Sequence, residues 1–235
     1  MTSSMHTTGV TAATGGPSGL QAVLLAMDGT LVDTEGYWWD AEVEVFAELG
    51  YELSPEHREA VVGGPMTRTA QYLLDVTGAP ISVPELSTLL NDRFIELLGG
   101  GVPLMPGARR LLAELAAHQV PTALVSASHR RVIDIVLEAL GREYFAFSVA
   151  GDEVRRTKPH PEPYLTAASR AGAHPARCVV IEDTPTGVAS AEAAGCRVVA
   201  VPSLVPVEER DGRTVVPSLE HVDLDFLHSI VTITY

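Results

Sequence analysis

Four short apolar runs, "AVLLA" (22–26), "VPTALV" (120–125), "CVVI" (178–181) and "RVVAV" (197–201), limit this chain more than any other feature. They are almost wholly apolar rather than alternating, as strands are when both faces of their sheet are covered. Between them lie "PGARRLLAELAAH", "HRRVIDIVLEALG", "PEPYLTAASRAG" and "PTGVASAEAAG", where apolar residues recur at every third and fourth position. Several of these open at Pro and close at Gly, as helices do. Strands alternating with helices predict an α/β fold, a doubly wound parallel sheet.

One region breaks the alternation. Four helical segments, "YWWDAEVEVFAELG", "PEHREAVVG", "MTRTAQYLLDVTG" and "VPELSTLLNDRFIELLGG", follow one another with no strand between them. An all-helical block inside an α/β chain predicts an inserted all-α cap over residues 36–104. The core is then 20–35 together with 105–235. Gly and Pro in "GGGVPLMPG" suit the return crossing. Residues 1–19, rich in Thr, Ser and Gly, hold too few large apolar groups to offset the entropy of ordering and predict a flexible tail.

The chain has 235 residues, 46% of them hydrophobic, enough for a substantial core. Sixteen basic against 30 acidic residues give a formal charge of −14, which opposes binding to nucleic acid or an anionic membrane surface. An anionic ligand then needs a local device, a metal ion or a well-placed lysine. Cys178 and Cys196 stand in strand-like surroundings without metal or redox spacing, and read as core thiols. No secretory signal and no apolar run of membrane-spanning length is present, so the expected location is the cytoplasm.

In an open parallel sheet, ligands bind beyond the carboxyl ends of the strands. Four polar clusters fall there: "MDGT" (27–30) after the first strand, Ser126 after "TALV", Lys158 in "TKPHPEP", and Glu182–Asp183 closing "CVVIE". Taken singly, each reads as a turn, a helix cap, a solvated loop residue or a polar strand end. Together, at one end of one sheet, they describe a crevice of acids beside a lysine. Carboxylates gathered there repel unless a cation balances them, and hard oxygen ligands suit Mg²⁺ bound with a phosphate.

The stretches "MDGTLVDTE", "LVSAS", "KPHPEPY" and "VIEDTPTGVASAEAAG" resemble, in order and spacing, the four motifs of the haloacid dehalogenase superfamily phosphohydrolases. The resemblance is to the branch of β-phosphoglucomutase and the sugar-phosphate phosphatases, and it runs from Leu20 to about Leu227. It implies a Rossmann-like core with a helical cap between the first two motifs. It also implies an Mg²⁺-dependent phosphatase of a small phosphate monoester, a sugar phosphate or similar metabolite, acting through an aspartyl-phosphate. Asp28 matches the general acid and base, which also offers a backbone carbonyl to the metal. Ser126 and Lys158 match the groups holding the phosphoryl oxygens, with amides around Gly29, Thr30 and Ala127 donating to them. Asp183, helped by Glu182, matches the acidic Mg²⁺ ligands.

The position of the attacking aspartate in that family is here Ala26. A methyl group cannot attack phosphorus, so this chain is expected to be inactive: a disabled, substrate-trapping form of a working phosphatase. The alternative is a natural pseudophosphatase that binds a phosphorylated ligand. A phosphosugar mutase is disfavoured, because Trp38, Val62 and Met66 occupy positions where the resembled mutases carry histidine or basic groups. In the cap, Trp38, Trp39, Arg68 and the turn from Gly63 to Met66 are the candidates for contact with the leaving group, and a monomer is the default assembly.

Overall fold

The computed structural model describes residues 19–62 and 64–232; the expected tail, apart from Gly19, and Gly63 lie outside them. Six parallel strands form one sheet in the order β3-β2-β1-β4-β5-β6. They are β1 (Ala22–Leu25), β2 (Thr122–Val125), β3 (Phe147–Val149), β4 (Cys178–Glu182), β5 (Arg197–Ala200) and β6 (Arg213–Val215). The four apolar runs are the central strands. On alternate residues they feed two separate cores: Val23, Leu25, Leu124, Val179 and Ile181 face one side, and Ala22, Leu24, Ala123, Val125 and Val180 the other. Burial on both faces is why these runs show no polar alternation. Cys178 and Cys196 are buried free thiols in the second core.

Strands β3 and β6 have no counterpart among the apolar runs. Each has three residues, sits at an edge of the sheet and includes a polar side chain, so its sequence looks like loop.

Helices α1 (Glu35–Glu48), α2 (Pro55–Val61), α3 (Met66–Thr77) and α4 (Val83–Leu97) lie between β1 and β2, ahead of α5 (Ala108–Ala117). Their ends follow local chemistry. At α4 the Ser82 hydroxyl and the Glu85 carboxylate cap each other's backbone amides, and α3 stops at Gly78 with φ +68°. The block has its own core, with Phe46, Leu73, Leu86 and Leu90 buried together. Ala41, Phe94 and Leu98 instead join the larger core and anchor the block to the sheet. The two connecting segments pair with each other: Asp33 N donates to Pro103 O and Met105 N to Leu31 O, both at 2.9 Å. The first helix begins at Glu35, one residue before the boundary expected from the sequence.

The remaining helices, α6 (Arg130–Leu140), α7 (Glu162–Arg170), α8 (Pro185–Ala193) and α9 (Leu224–Thr232), cover the sheet. No helix among the described residues is long and apolar enough to cross a membrane. The two-core arrangement makes a direct prediction. Leu24 is fully buried at the sheet centre, whereas Leu165 on α7 is 42% exposed. Leu24→Ala is expected to cost about 2–5 kcal/mol in urea unfolding, and Leu165→Ala less than about 0.5 kcal/mol.

Candidate active site

Beyond the carboxyl ends of β1, β2 and β4 a cleft opens between the sheet and the helical block, partly open to solvent. Ala26, Asp28, Ser126, Ala127, Lys158, Glu182 and Asp183 all line it, so the fold brings the four sequence clusters together. Each arrives for a local reason. Ala26 extends β1, its N–H donating to Ile181 O at 3.0 Å, and the chain then turns at once through Gly29, φ +71°. A side chain at Gly29 would collide with the Asp183 carboxylate, so this turn and that acid need each other.

Asp28 is held by three donors. Thr34 Oγ1 and Trp38 Nε1 donate to its Oδ1 at 2.6 and 3.2 Å, and Ser128 Oγ donates to Oδ2 at 3.1 Å. Trp38 is fixed in turn by stacking on Phe94, with ring centroids 3.7 Å apart. Asp183 accepts from Thr30 Oγ1 at 3.0 Å and from Ser203 Oγ at 2.8 Å.

Lys158 and Glu182 form a buried ion pair, Nζ to Oε1 at 2.5 Å. The same ammonium donates to Val125 O at 3.0 Å, and Tyr164 donates its hydroxyl to Glu182 Oε1 at 2.7 Å. Glu182 Oε2 accepts from the amide of Asp183 at 3.1 Å and the Thr184 hydroxyl at 3.4 Å. Both oxygens of Glu182 are thus committed to protein donors. In this geometry Glu182 is the partner that holds Lys158 in place. A Cβ at Gly187 would overlap the Glu182 carboxylate, so α8 approaches the pair only because glycine stands there.

Two expectations change. The Gly29 and Thr30 amides are used inside the turn, donating to Val32 O at 2.9 Å and Met27 O at 3.2 Å. Among the described residues the amides without an internal acceptor at this edge are those of Met27, Asp28 and Ala127, and these residues line the cleft. The Thr30 hydroxyl orients Asp183 instead. Arg68 is exposed and does not line the cleft, because on α3 the neighbouring Thr69 takes the buried face and a one-residue step rotates the side chain by about 100°. Arg58 of α2 lines the cleft in its place. Trp38 and Trp39 line it as expected, as do Val62 and Met66.

The cleft is strongly acidic. Burial, reinforced by Glu182, pushes the Asp183 carboxyl up to about 7. Burial, with Asp28 and Asp183 adding to it, raises Glu35 to about 8, and burial raises Glu42 to about 8. Among the described residues no group of three or more His, Cys, Asp or Glu side chains is placed to hold a metal ion. Ala26 lacks a donor and Glu182 is turned to Lys158. Asp28 and Asp183 nevertheless fit a hard divalent cation that keeps much of its water, since Mg²⁺ is commonly held by one or two carboxylates and by phosphate oxygens.

The haloacid dehalogenase-like hydrolase family matches residues 23–201. Hexitol phosphatase B of Escherichia coli K12 is 30% identical over 208 residues, covering 87% of this chain and 92% of that protein. The bifunctional riboflavin kinase/FMN phosphatase of Arabidopsis thaliana is 35% identical over 187 residues, 77% of this chain; the chain spans about half, 48%, of that longer protein. The crystal structure of a mutant CbbY from Rhodobacter sphaeroides, in complex with xylulose-(1,5)-bisphosphate, superposes with a TM-score of 0.81 at 27% identity, covering 88% of this chain and 99% of that one. With an inserted helical block after β1, acids at the ends of β1 and β4 and a lysine from the loop before α7, the chain belongs to the haloacid dehalogenase-like hydrolases, by family phosphoric monoester hydrolases.

Proposed function

We propose that this protein binds a small phosphate monoester, a sugar phosphate or similar metabolite, together with Mg²⁺, and that Ala26 leaves it unable to turn that ester over. The observation that carries the reading is the arrangement around Ala26. Asp28, Ser126, Lys158 and Asp183 line one cleft, each held by hydrogen bonds to neighbouring residues, while the residue at the end of β1 has only a methyl group. The likeness to hexitol phosphatase B supports a polyhydroxylated substrate.

In this reading the phosphoryl group lies against the amides of Met27, Asp28 and Ala127, with Lys158 and the Ser126 hydroxyl holding its oxygens. Mg²⁺, when bound at Asp183 and Asp28, supplies positive charge against the phosphate. Asp28 is the proton carrier. Its three donors fix the carboxyl so that it can protonate the leaving ester oxygen and, in a second step, take a proton from water. The attack on phosphorus needs a carboxylate at position 26, which would form an acyl phosphate and expel the alcohol. The helical block serves as the cap that shields this chemistry from bulk water. Ala26 itself favours a second reading, a natural sensor that binds the ester and does not cleave it.

Two measurements bear on this. Ala26→Asp is expected to release phosphate from a panel of esters in Mg²⁺ and to stop on addition of EDTA, with the Ala26 chain slower by roughly 10⁴-fold or more. A folded Ala26→Asp protein with no turnover on any ester would overturn the hydrolytic reading in favour of the sensor. Lys158→Met leaves Glu182 buried without its cation beside Asp183, with the pair's side chains only 8% and 1% exposed. It should cost about 3–5 kcal/mol in denaturant unfolding, and Lys158→Met/Glu182→Leu should recover much of that loss.

A further inference from the structure

Lys158 is the only lysine among the 235 residues, so the cleft has one side-chain ammonium, with three N–H groups to give. One donates to Val125 O at 3.0 Å and one to Glu182 Oε1 at 2.5 Å, which leaves a single donor for the cleft that Lys158 lines. Where that third N–H points is decided by the other two. Val125 O is a backbone atom at the end of β2 and is fixed by the sheet. Glu182 Oε1 is a side-chain atom, so its place depends on what else holds it.

Tyr164 holds it. This residue stands in the first turn of α7 and is one of the largest fully buried side chains. Its hydroxyl donates to the same Oε1 at 2.7 Å, and its ring lies beside the ammonium, with Nζ 5.0 Å from the centroid. Burial first, and the Glu182 charge second, push this phenol well above its usual range, so the hydroxyl keeps its proton and stays a donor. The span of chain around the two residues is tied down as well. The amides of Arg155 and Arg156 donate to the Glu162 carboxylate at 2.8 and 3.2 Å, and Ser190 Oγ of α8 donates to His160 O at 2.6 Å.

Packing alone would be served by phenylalanine, which brings no polar group that burial obliges the fold to satisfy. The hydroxyl is explained by its effect on the ion pair. With it, Glu182 Oε1 is anchored from α7 and its charge is shared between two donors. Without it, that oxygen would answer to the ammonium alone, and the pair could close on itself at the expense of the third N–H.

We propose that Tyr164 is a positioning residue for Lys158: its hydroxyl anchors Glu182 Oε1 so that the third N–H of the ammonium faces the cleft, where a phosphate oxygen receives it. Tyr164 does not line the cleft and acts wholly through Glu182 and Lys158. The inference rests on the phosphate-binding reading above and adds to it the group that aims the cation.

Because Lys158 is the only lysine, the Ala26 chain grown with isotope-labelled lysine gives one side-chain ammonium signal in nuclear magnetic resonance. The test compares this chain with its Tyr164→Phe version, which keeps the ring and loses the hydroxyl. Without ligand, the ammonium protons of Tyr164→Phe are expected to exchange with water roughly 5-fold faster or more, the size of effect that loss of one hydrogen bond gives. In Mg²⁺, calorimetry should show inorganic phosphate bound about 5- to 10-fold more weakly by Tyr164→Phe. Leu24→Ala, destabilised at the sheet centre away from the cleft, should bind phosphate within about twofold of the unsubstituted chain. The hydroxyl proton of Tyr164, slowed in exchange by burial, gives a reading that needs no substitution and decides if Tyr164→Phe does not fold: it should shift together with the Lys158 signal as phosphate is added.

An unchanged exchange rate or an unchanged phosphate affinity in Tyr164→Phe, or a loss of affinity that Leu24→Ala reproduces, overturns the proposal. So does a Tyr164 hydroxyl signal that stays in place while that of Lys158 moves. If phosphate binds both chains equally and the exchange rates match, the positioning role fails and the phosphate-binding reading stands. If phosphate binds neither chain and moves no signal, the phosphate-binding reading fails, and the exchange rates alone decide whether Tyr164 holds the pair.

Discussion

The buried pair of Lys158 and Glu182 is the constraint around which the sheet's working edge is arranged. Its ammonium is shared between the carboxylate at the end of β4 and the carbonyl of Val125 at the end of β2, so one side chain from the loop before α7 ties two strand ends together. Taking both charges out of water is costly, and the arrangement offsets that cost with further hydrogen bonds to both groups. Tyr164 closes one oxygen of Glu182, and the amide of Asp183 with the Thr184 hydroxyl closes the other. Even the approach of α8 follows from the pair, since only a glycine at 187 leaves room for the carboxylate.

Charge then decides what such an edge can hold. Lys158 is spent largely on Glu182, so Asp183, Asp28 and Glu35 have no comparable cation of their own. Burial first and neighbouring acids second raise the Asp183 and Glu35 carboxyls, against a smaller opposing pull from Lys158 on the one and Arg58 on the other. An aspartate at position 26 would add one more anion to the same crevice. In the proposed reading, the methyl group of Ala26 lacks the attacking oxygen and lessens the repulsion felt by a phosphate dianion, which would separate binding from turnover at one residue.

The sequence carried the sheet's centre and the chemistry at its edge, and lost detail where phase or turn geometry decides. β1, β2, β4 and β5 are legible because burial on two faces leaves their runs without polar alternation; "FSV" and "RTV" are three-residue edge strands with no such signature. Asp28, Ser126, Lys158 and Asp183 are legible because strand ends can be located from the runs. Gly29 and Thr30 were assigned amides that the turn itself consumes, and no residue type announces which N–H groups a turn uses. Arg68 is the arginine expected at the cleft and Arg58 the one that lines it, because helical phase relative to a cleft depends on tertiary packing.

Asp28 also shows how the helical block and the sheet act on one group. Oδ2 is held from the sheet side by Ser128 after β2, whereas Oδ1 is held by Thr34 and by Trp38, one at the start of α1 and the other within it. Trp38 is itself stacked on Phe94 of α4, a residue that belongs to the main core rather than to the block's own. Any displacement of α1 from the sheet therefore takes donors from Asp28, so the orientation of this carboxylate and the seating of the block are one equilibrium.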